Sequence, residues 1–462
     1  MVEERRMPSD GFVLAVLVLL AVFFVLTPFT ARSLQGNNAL LGEQSHFHLG
    51  LAQNMLEPSS YHLQDVTPTL FNSLVAGILI IANPMLTSKL LPIILGVASV
   101  ILFFLTAQRV LGDMEERSLA GLLFIISPLF IVVFTTLTPA SLVLFLSLLC
   151  WWLYDRSPVL SGVTLSLLVG VHATAFIVTA VLLVAYGLLR GSWKHAAVSG
   201  AIGLFLMVLL DAFFGFVAGD ALIMSSSFND FFVSLGANFG YSFFLLFLAA
   251  VGVIAAWSKE RRQIVASLII GGVFVFSFSD MLARVLLVPL VAMLAGKGVL
   301  VLLRRPWTVR SIRNITLFLV GLSLLFTLVF TISGQVKAEP TMEKLEALRF
   351  LHTSPPDAVV LSSPDNGVLI ERLGRRQAFL DNAQQDQERW SAAQQVFLSY
   401  RMGTTVPLLQ EYGITYVFVD ERMRDGGVWT YEEQGLLFLL KYDDRFVKLY
   451  DAGSNVVYRF TG

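Results

Sequence analysis

Between residues 11 and 332 the chain is a succession of apolar runs. Several exceed the ~18 residues that cross a hydrocarbon core. Of its 462 residues 56% are hydrophobic and 14% charged, with a mean hydropathy of +0.73, more apolar surface than a water-soluble core of this length could absorb. The pattern predicts a polytopic α-helical membrane bundle. Eleven crossings are read, at 11–29, 90–108, 118–135, 139–154, 160–170, 173–189, 196–216, 241–257, 264–277, 285–303 and 315–332. The first follows a short basic N-terminus but lacks a small-residue cleavage site, so it reads as a retained helix and not a signal peptide.

The cations set the expected orientation. Lys and Arg in short loops are retained on the cytoplasmic side. Fifteen of the eighteen that precede Lys337 fall in six clusters: Arg5/Arg6, Arg109/Arg117, Arg156, Arg190/Lys194, Lys259/Arg261/Arg262 and Lys297/Arg304/Arg305/Arg310/Arg313. The exceptions are Arg32, Lys89 and Arg284. These clusters share one side only if the weak apolar stretch 69–83 does not cross; counting it would put thirteen of the fifteen outside. The expectation is a multi-pass cell-membrane protein with a cytoplasmic N-terminus and an extracytoplasmic C-terminal domain.

Several function classes lose support. Net charge is −1 and the basic residues follow topology, so no nucleic-acid patch forms. No G-x-x-x-x-G-K-[ST], H-E-x-x-H or G-x-S-x-G occurs, which argues against ATP-driven transport and soluble-type hydrolase chemistry. Cys150 is alone, so neither an internal disulfide nor a thiolate metal site is available.

Composition changes after Ser333. Residues 1–335 read as the membrane domain with an external loop at 30–89, and 336–462 as a small α/β domain large enough for a modest core. Within it we expect a helix at 342–351, a strand at 358–361 ending in a turn at 363–367, and a helix at 406–413 with Pro407 in its first turn. A strand at 414–419 and a hairpin of 446–450 with 455–460 complete the reading.

The sharpest constellation lies in the external loop, Gly42-Glu43-Gln44-Ser45-His46-Phe47-His48-Leu49. It opens an amphipathic stretch, 45–56, with Phe47, Leu51 and Met55 on one face. On a helix His46 and His48 are about 200° apart and do not chelate one metal together. Glu43 is the candidate general base, with a histidine positioning a phosphate or sugar hydroxyl. A half-buried carboxylate has its pKa raised towards neutrality, as such a base requires. The alternative is a helix-start charge beside headgroup-level histidines.

Asp280 and Arg284 sit at the outer entrance of a late helix. An outward guanidinium there suits a lipid phosphate, and the alternative is a local pair with Asp280. Asp211, in an apolar helix, reads equally as functional or as reaching water. His172 reads as an interior histidine, Asp220 and Asp230 as loop solubilisers, and Trp151-Trp152 as part of an interfacial belt. The acceptor pattern Asn314-Ile315-Thr316 falls on the cytoplasmic side and is discounted.

These features together resemble the GT-C membrane glycosyltransferases, which include protein O-mannosyltransferases, aminoarabinose transferases and oligosaccharyltransferase catalytic subunits. The local matches are the segment 42–47 after the first helix, 107–112 at the end of the next span, 138–142, and 284–289. Residues 346–381, with Ser354-Pro355-Pro356-Asp357, resemble the extracytoplasmic domain of archaeal members. The resemblance implies transfer of a sugar from a polyprenyl-phosphate donor to a protein, lipid or glycan acceptor, with Glu43 as base and His46, His48, Asp280 and Arg284 binding substrate. A non-catalytic relative, a lipid transporter or a flippase is the other implied class. Gly42 stands where the family has its first acid and the loop has no Asp-x-Asp, so the closer likeness is to metal-independent members. A divalent metal stays open as a cofactor.

Overall fold

The computed structural model describes residues 9–56, 69–214, 231–232, 240–257, 261–381, 386–431 and 433–462. Asp220, Asp230, the Pro58–Ser60 break and the side chain of Asp211 lie outside the described residues. The chain divides into two compact units, Met1–Leu34 with Thr67–Lys337, and Gln35–Val66 with Ala338–Gly462.

The first unit is helical. Its helices are α1 (Asp10–Leu34) and then, after the stretch in the second unit that carries α2 (Glu43–Leu56), α3 (Leu70–Leu79), α4 (Pro84–Val110), α5 (Met114–Ile125), α6 (Pro128–Thr135) and α7 (Pro139–Tyr154). They continue with α8 (Pro158–Val171), α9 (Ala173–Arg190), α10 (Trp193–Phe214), α11 (Phe243–Ala256), α12 (Arg261–Phe276), α13 (Met281–Arg304) and α14 (Arg310–Val336). Five of them, α1, α4, α9, α13 and α14, are long and apolar enough to cross a membrane. The pair α5 and α6, bent by 54°, makes a sixth when taken together. Pro128 has no amide to close the preceding turn, so the bend falls there. Other apolar helices are shorter, such as the 14-residue α8. At the α8–α9 break His172 Nδ1 accepts from Thr174 N at 3.2 Å and caps α9.

Two glycines let α11 and α13 approach at backbone distance. A Cβ on Gly252 would lie 1.9 Å from the Leu294 carbonyl oxygen, and one on Gly298 2.0 Å from that of Leu248. Small residues at such crossings are what helix association in lipid relies on. Gly298→Val should therefore force the pair apart and lower the detergent-solubilised protein's thermal midpoint by several degrees. An unchanged midpoint would mean the helices are not packed this way.

The second unit is an α/β layer structure around a five-stranded sheet. Its C-terminal portion runs α15 (Met342–Leu351), β1 (Val359–Leu361), α16 (Pro364–Leu369), a π turn at Ile370–Gly374, β2 (Gln377–Ala378), α17 (Gln387–Leu398) and α18 (Met402–Glu411). Then come β3 (Ile414–Val419), α19 (Leu436–Tyr442), β4 (Phe446–Ala452) and β5 (Asn455–Phe460). Strand order is β2-β1-β3-β5-β4; β1 pairs parallel with β2 and β3, while β5 runs antiparallel to β3 and β4. Side chains alternate along β3, as the period of two requires. Tyr416 and Phe418 join Leu348, Leu351 and Ile370 on one face, while Val417 and Val419 join Leu409, Trp429 and Phe446 on the other.

Three details differ from the sequence reading. The segment expected as a turn at 363–367 starts a helix: Pro364 occupies its first position, where a missing amide is harmless, and Asn366 N donates to Ser363 O at 2.9 Å. Pro407 lies mid-helix in α18, not in a first turn, on an exposed face. On α2, Phe47 and Leu51 pack against Val368, but Met55 is 42% exposed.

Candidate functional site

The start of α2 is held in the second unit by backbone ties to the segment before α15. Asn37 Nδ2 donates to Pro340 O at 3.0 Å, and Gly42 N donates to Glu339 O at 2.8 Å. Gly42 has φ +77°, which a residue with a Cβ adopts only at a cost. The turn into α2 therefore favours glycine here.

Glu43 follows, partly exposed but with its carboxyl well removed from water. Burial pushes its pKa from 4.5 to about 8; Asp365, Asp381 and Glu339 add to the rise and Lys344 opposes it. Lys344 is itself committed. It is 2% exposed, pairs with Glu339, and lies 2.8 Å from Asp420. Arg422 Nε adds a contact of 2.9 Å to Glu339. Glu43 thus stands in an anionic field whose principal counter-charge is tied elsewhere, and such a carboxyl keeps its proton near neutrality.

A second carboxyl behaves alike. Glu371, in the π turn, is 3% exposed, and its Oε2 has no hydrogen-bond partner among the described residues. Burial raises its pKa from 4.5 to about 8, with Asp381 adding to the rise and the Ala378 backbone opposing it. The native state holds a proton that the unfolded chain releases above 4.5, so this stabilisation is complete at low pH and is lost as pH climbs to about 8. Glu371→Gln should flatten the fall in thermal midpoint between pH 5 and pH 9. Parallel curves for variant and wild type would show that the carboxyl is not protonated in the fold.

His46 is 2% exposed and meets a cation, with Arg372 Nη1 3.0 Å from its Nδ1 and 3.5 Å from its carbonyl oxygen. His48 points elsewhere, half-buried, its ring edge-on to Phe47 at 5.2 Å. Glu43, His46 and His48 are therefore brought together on one helix, but the histidines face different surroundings. Among the described residues no group of three or more His, Cys, Asp or Glu is arranged to hold a metal ion. Sequence reasoning missed Arg372, Glu371, Asp365 and Asp381, which lie more than 300 residues from α2.

Asp280 and Arg284 belong to the first unit. Asp280 caps α13, its Oδ1 accepting from Ala283 N at 2.7 Å. Arg284 is 1% exposed and turns back on the preceding segment, with Nε donating to Ser277 O at 2.7 Å and Nη2 to Phe278 O at 3.0 Å. Its guanidinium lies 5.5 Å over the Phe231 ring, and Tyr241 donates to its carbonyl at 2.6 Å. These contacts brace the turn into α13.

No protein-family model matches the chain, and no curated protein matches it in sequence. Solved structures do. The Archaeoglobus fulgidus oligosaccharyltransferase tethered to an acceptor peptide superposes with a TM-score of 0.65 at 14% identity, over 97% of this chain and 74% of that one. ArnT from Cupriavidus metallidurans bound to undecaprenyl phosphate superposes at 0.58 with 12% identity, over 97–98% of both chains in two states. This chain shares its fold with these two membrane proteins. A further Archaeoglobus fulgidus structure, the oligosaccharyltransferase AglB with an inhibitory peptide and a dolichol-phosphate, aligns at 0.61 and 14% identity over 96% of this chain and 74% of that one. The shared fold thus extends over nearly all of the chain.

Proposed function

We propose that this protein transfers a sugar from a polyprenyl-phosphate-linked donor to an acceptor on the outer face of the membrane, with Glu43 as the proton acceptor. The observation that carries the proposal is a carboxyl at the head of α2 whose pKa is pushed up to about 8 by burial and by the neighbouring Asp365, Asp381 and Glu339, in a chain that shares the fold of ArnT. In the step, an acceptor hydroxyl oxygen attacks the anomeric carbon and the bond from that carbon to the phosphate oxygen breaks. Polyprenyl phosphate leaves with the bonding pair, and the hydroxyl proton passes to ionised Glu43. The structural neighbours were solved with dolichol-phosphate and with undecaprenyl phosphate, and this class of carrier is assigned here to the donor.

Arg284 and Asp280 stay in the proposal as the donor-phosphate end. Arg284→Lys keeps the charge but loses the planar fork, so it should raise the KM for donor more than it lowers kcat. Membranes holding the wild-type protein, a polyprenyl-phosphate sugar and an acceptor library should release polyprenyl phosphate. Release unaltered in Glu43→Gln would remove Glu43 as base. Lipid movement between leaflets without sugar release would favour a transporter or flippase.

The orientation belongs to the same proposal. Counting the α5–α6 pair once and each shorter apolar helix except α3 gives eleven crossings, with the N-terminus cytoplasmic and the C-terminal residues outside. Cys150 is buried, so single cysteines at 43 and 400 in a Cys150→Ala background report sidedness cleanly. Labelling of the two from opposite sides would refute it.

A further inference from the structure

Where α13 ends, it packs on the start of α5, and the two leave an open pocket of about 390 Å³, within the ~300–1,000 Å³ of small-ligand sites. A Cβ on Gly296 would lie 2.8 Å from Ala120 N, so the crossing beside the pocket is set at backbone distance. Part of the lining is apolar, from Leu300 and Val301, and the rest is charged. Arg304 is already engaged, with Nη1 2.8 Å from Asp113 and Nη2 3.0 Å from Glu115. Lys297, Arg305 and Glu116 also line the pocket, and among the described residues none of the three is in an ion pair within 4 Å.

We propose that this pocket seats the headgroup of a zwitterionic membrane phospholipid of the phosphoethanolamine class, its phosphate on Lys297 and Arg305 and its primary ammonium on Glu116. The depth fits. α4, α13 and α14 are each long enough to cross a membrane, and the pocket lies where α13 stops and just before α5 begins, at headgroup level. Trp307 marks the same level, since indoles gather at the membrane–water interface. Its Nε1 donates to Leu302 O at 2.9 Å, and the Arg305 guanidinium lies 5.6 Å over its ring. On the proposed orientation this is the cytoplasmic leaflet.

The charge balance selects the headgroup. With Glu115 tied to Arg304, the pocket and its brace carry three cations, Lys297, Arg304 and Arg305, and three carboxylates, Asp113, Glu115 and Glu116. A ligand of no net charge with separated poles suits such a site. Retention of cations on one side of the membrane accounts for Lys297 and Arg305, but gives no reason for a carboxylate without a counter-ion beside them. A phosphoglycerol headgroup would serve the two cations, yet it offers Glu116 only neutral hydroxyls, and hydrogen bonds between charged partners are roughly twice as strong. A quaternary ammonium has no N–H to donate and is recognised instead by aromatic faces, and no aromatic residue lines the pocket among the described residues. The primary ammonium of phosphoethanolamine both donates and carries the charge. The inference is independent of sugar transfer.

The test is lipid binding to the detergent-purified full chain by native mass spectrometry, with dioleoyl-phosphatidylethanolamine, -phosphatidylcholine and -phosphatidylglycerol as probes. The wild type should bind the ethanolamine lipid about tenfold more tightly than either of the others, the effect of one charge-assisted hydrogen bond. Glu116→Gln should abolish that preference, and Glu116→Lys should turn it towards phosphatidylglycerol. Lys297→Met should weaken all three lipids, because the phosphate is common to them. Arg310→Gln, which removes an exposed cation outside the pocket, should behave as wild type. Equal binding of the three lipids by the wild type would mean ordinary annular contact, and a preference untouched by Glu116→Gln would place the lipid elsewhere; either result overturns the proposal. Soluble glycerophosphoethanolamine has no chains to lie along Leu300 and Val301 and should compete only weakly. Full competition by it would reassign the pocket to a soluble ligand. Should Lys297→Met fail to fold, the wild type and the two Glu116 variants still decide the matter.

Discussion

Sugar transfer by the wild-type protein is expected to rise with pH through an apparent pKa near 8 and to lose that rise when Glu43 is replaced by Gln. A proton acceptor must be ionised to act, and Glu43 reaches that state only at about 8, because burial and the fields of Asp365, Asp381 and Glu339 favour its neutral form. Below that pH the reactive fraction falls tenfold per unit. General-base contributions run to roughly 10²–10⁴-fold, so Glu43→Gln should lower kcat by about that factor with little change in donor KM. Glu43→Asp keeps the charge but shortens the reach and should fall between the two. A pH profile flat from 6 to 9 in the wild type would separate the reaction from this carboxyl.

The largest stability effect is expected from Lys344→Met. The ammonium is 2% exposed and bridges Glu339 and Asp420, the latter itself 3% exposed in its side chain. Removing one member of a buried ion pair leaves the other charge desolvated and typically costs about 3–5 kcal/mol. The pH dependence gives a signature. Burial alone would raise the Asp420 pKa, but Lys344 holds it below its ordinary 3.8. In the wild type this stabilisation is therefore present above 3.8 and is lost as pH falls through the lower native value. Without Lys344 the carboxyl reverts to the desolvated case, so the deficit should be full at pH 7 and shrink towards pH 4. A deficit independent of pH would point to lost packing and not to lost pairing.

The helices of the first unit were legible because apolar length is a direct readout of transfer free energy. Each run named from the sequence has a helix over it. The bend at Ser127-Pro128 follows from a proline that has no amide to close the turn. What periodicity could not show was which helices meet: Gly252 and Gly298 look like any other glycines until a carbonyl of the neighbouring helix is found against each. In the second unit β3 and the hairpin carry clear alternation, whereas β2, two residues long, is too short for any period to register.

At the site, Glu43 and His46 stood out because an acid and two imidazoles in six residues is an unusual density. Their environment did not. Arg372 and Glu371 lie in a turn whose π geometry has no sequence signature, and Lys344 reads as one more solvated cation on α15. The pKa of Glu43 is set by residues at the far end of the chain, which local pattern reasoning has no means of pairing with it.

That separation has a bearing on biogenesis. Glu43 is made early, but Asp365 and Asp381 are translated more than 300 residues later. Until they emerge, the carboxyl is an ordinary acid, ionised and unshielded, and α2 has no Val368 to rest on. A ribosome-stalled or prematurely terminated product would thus carry this carboxyl without its tuning, and the protein would acquire the shifted pKa of Glu43 only when synthesis is nearly complete.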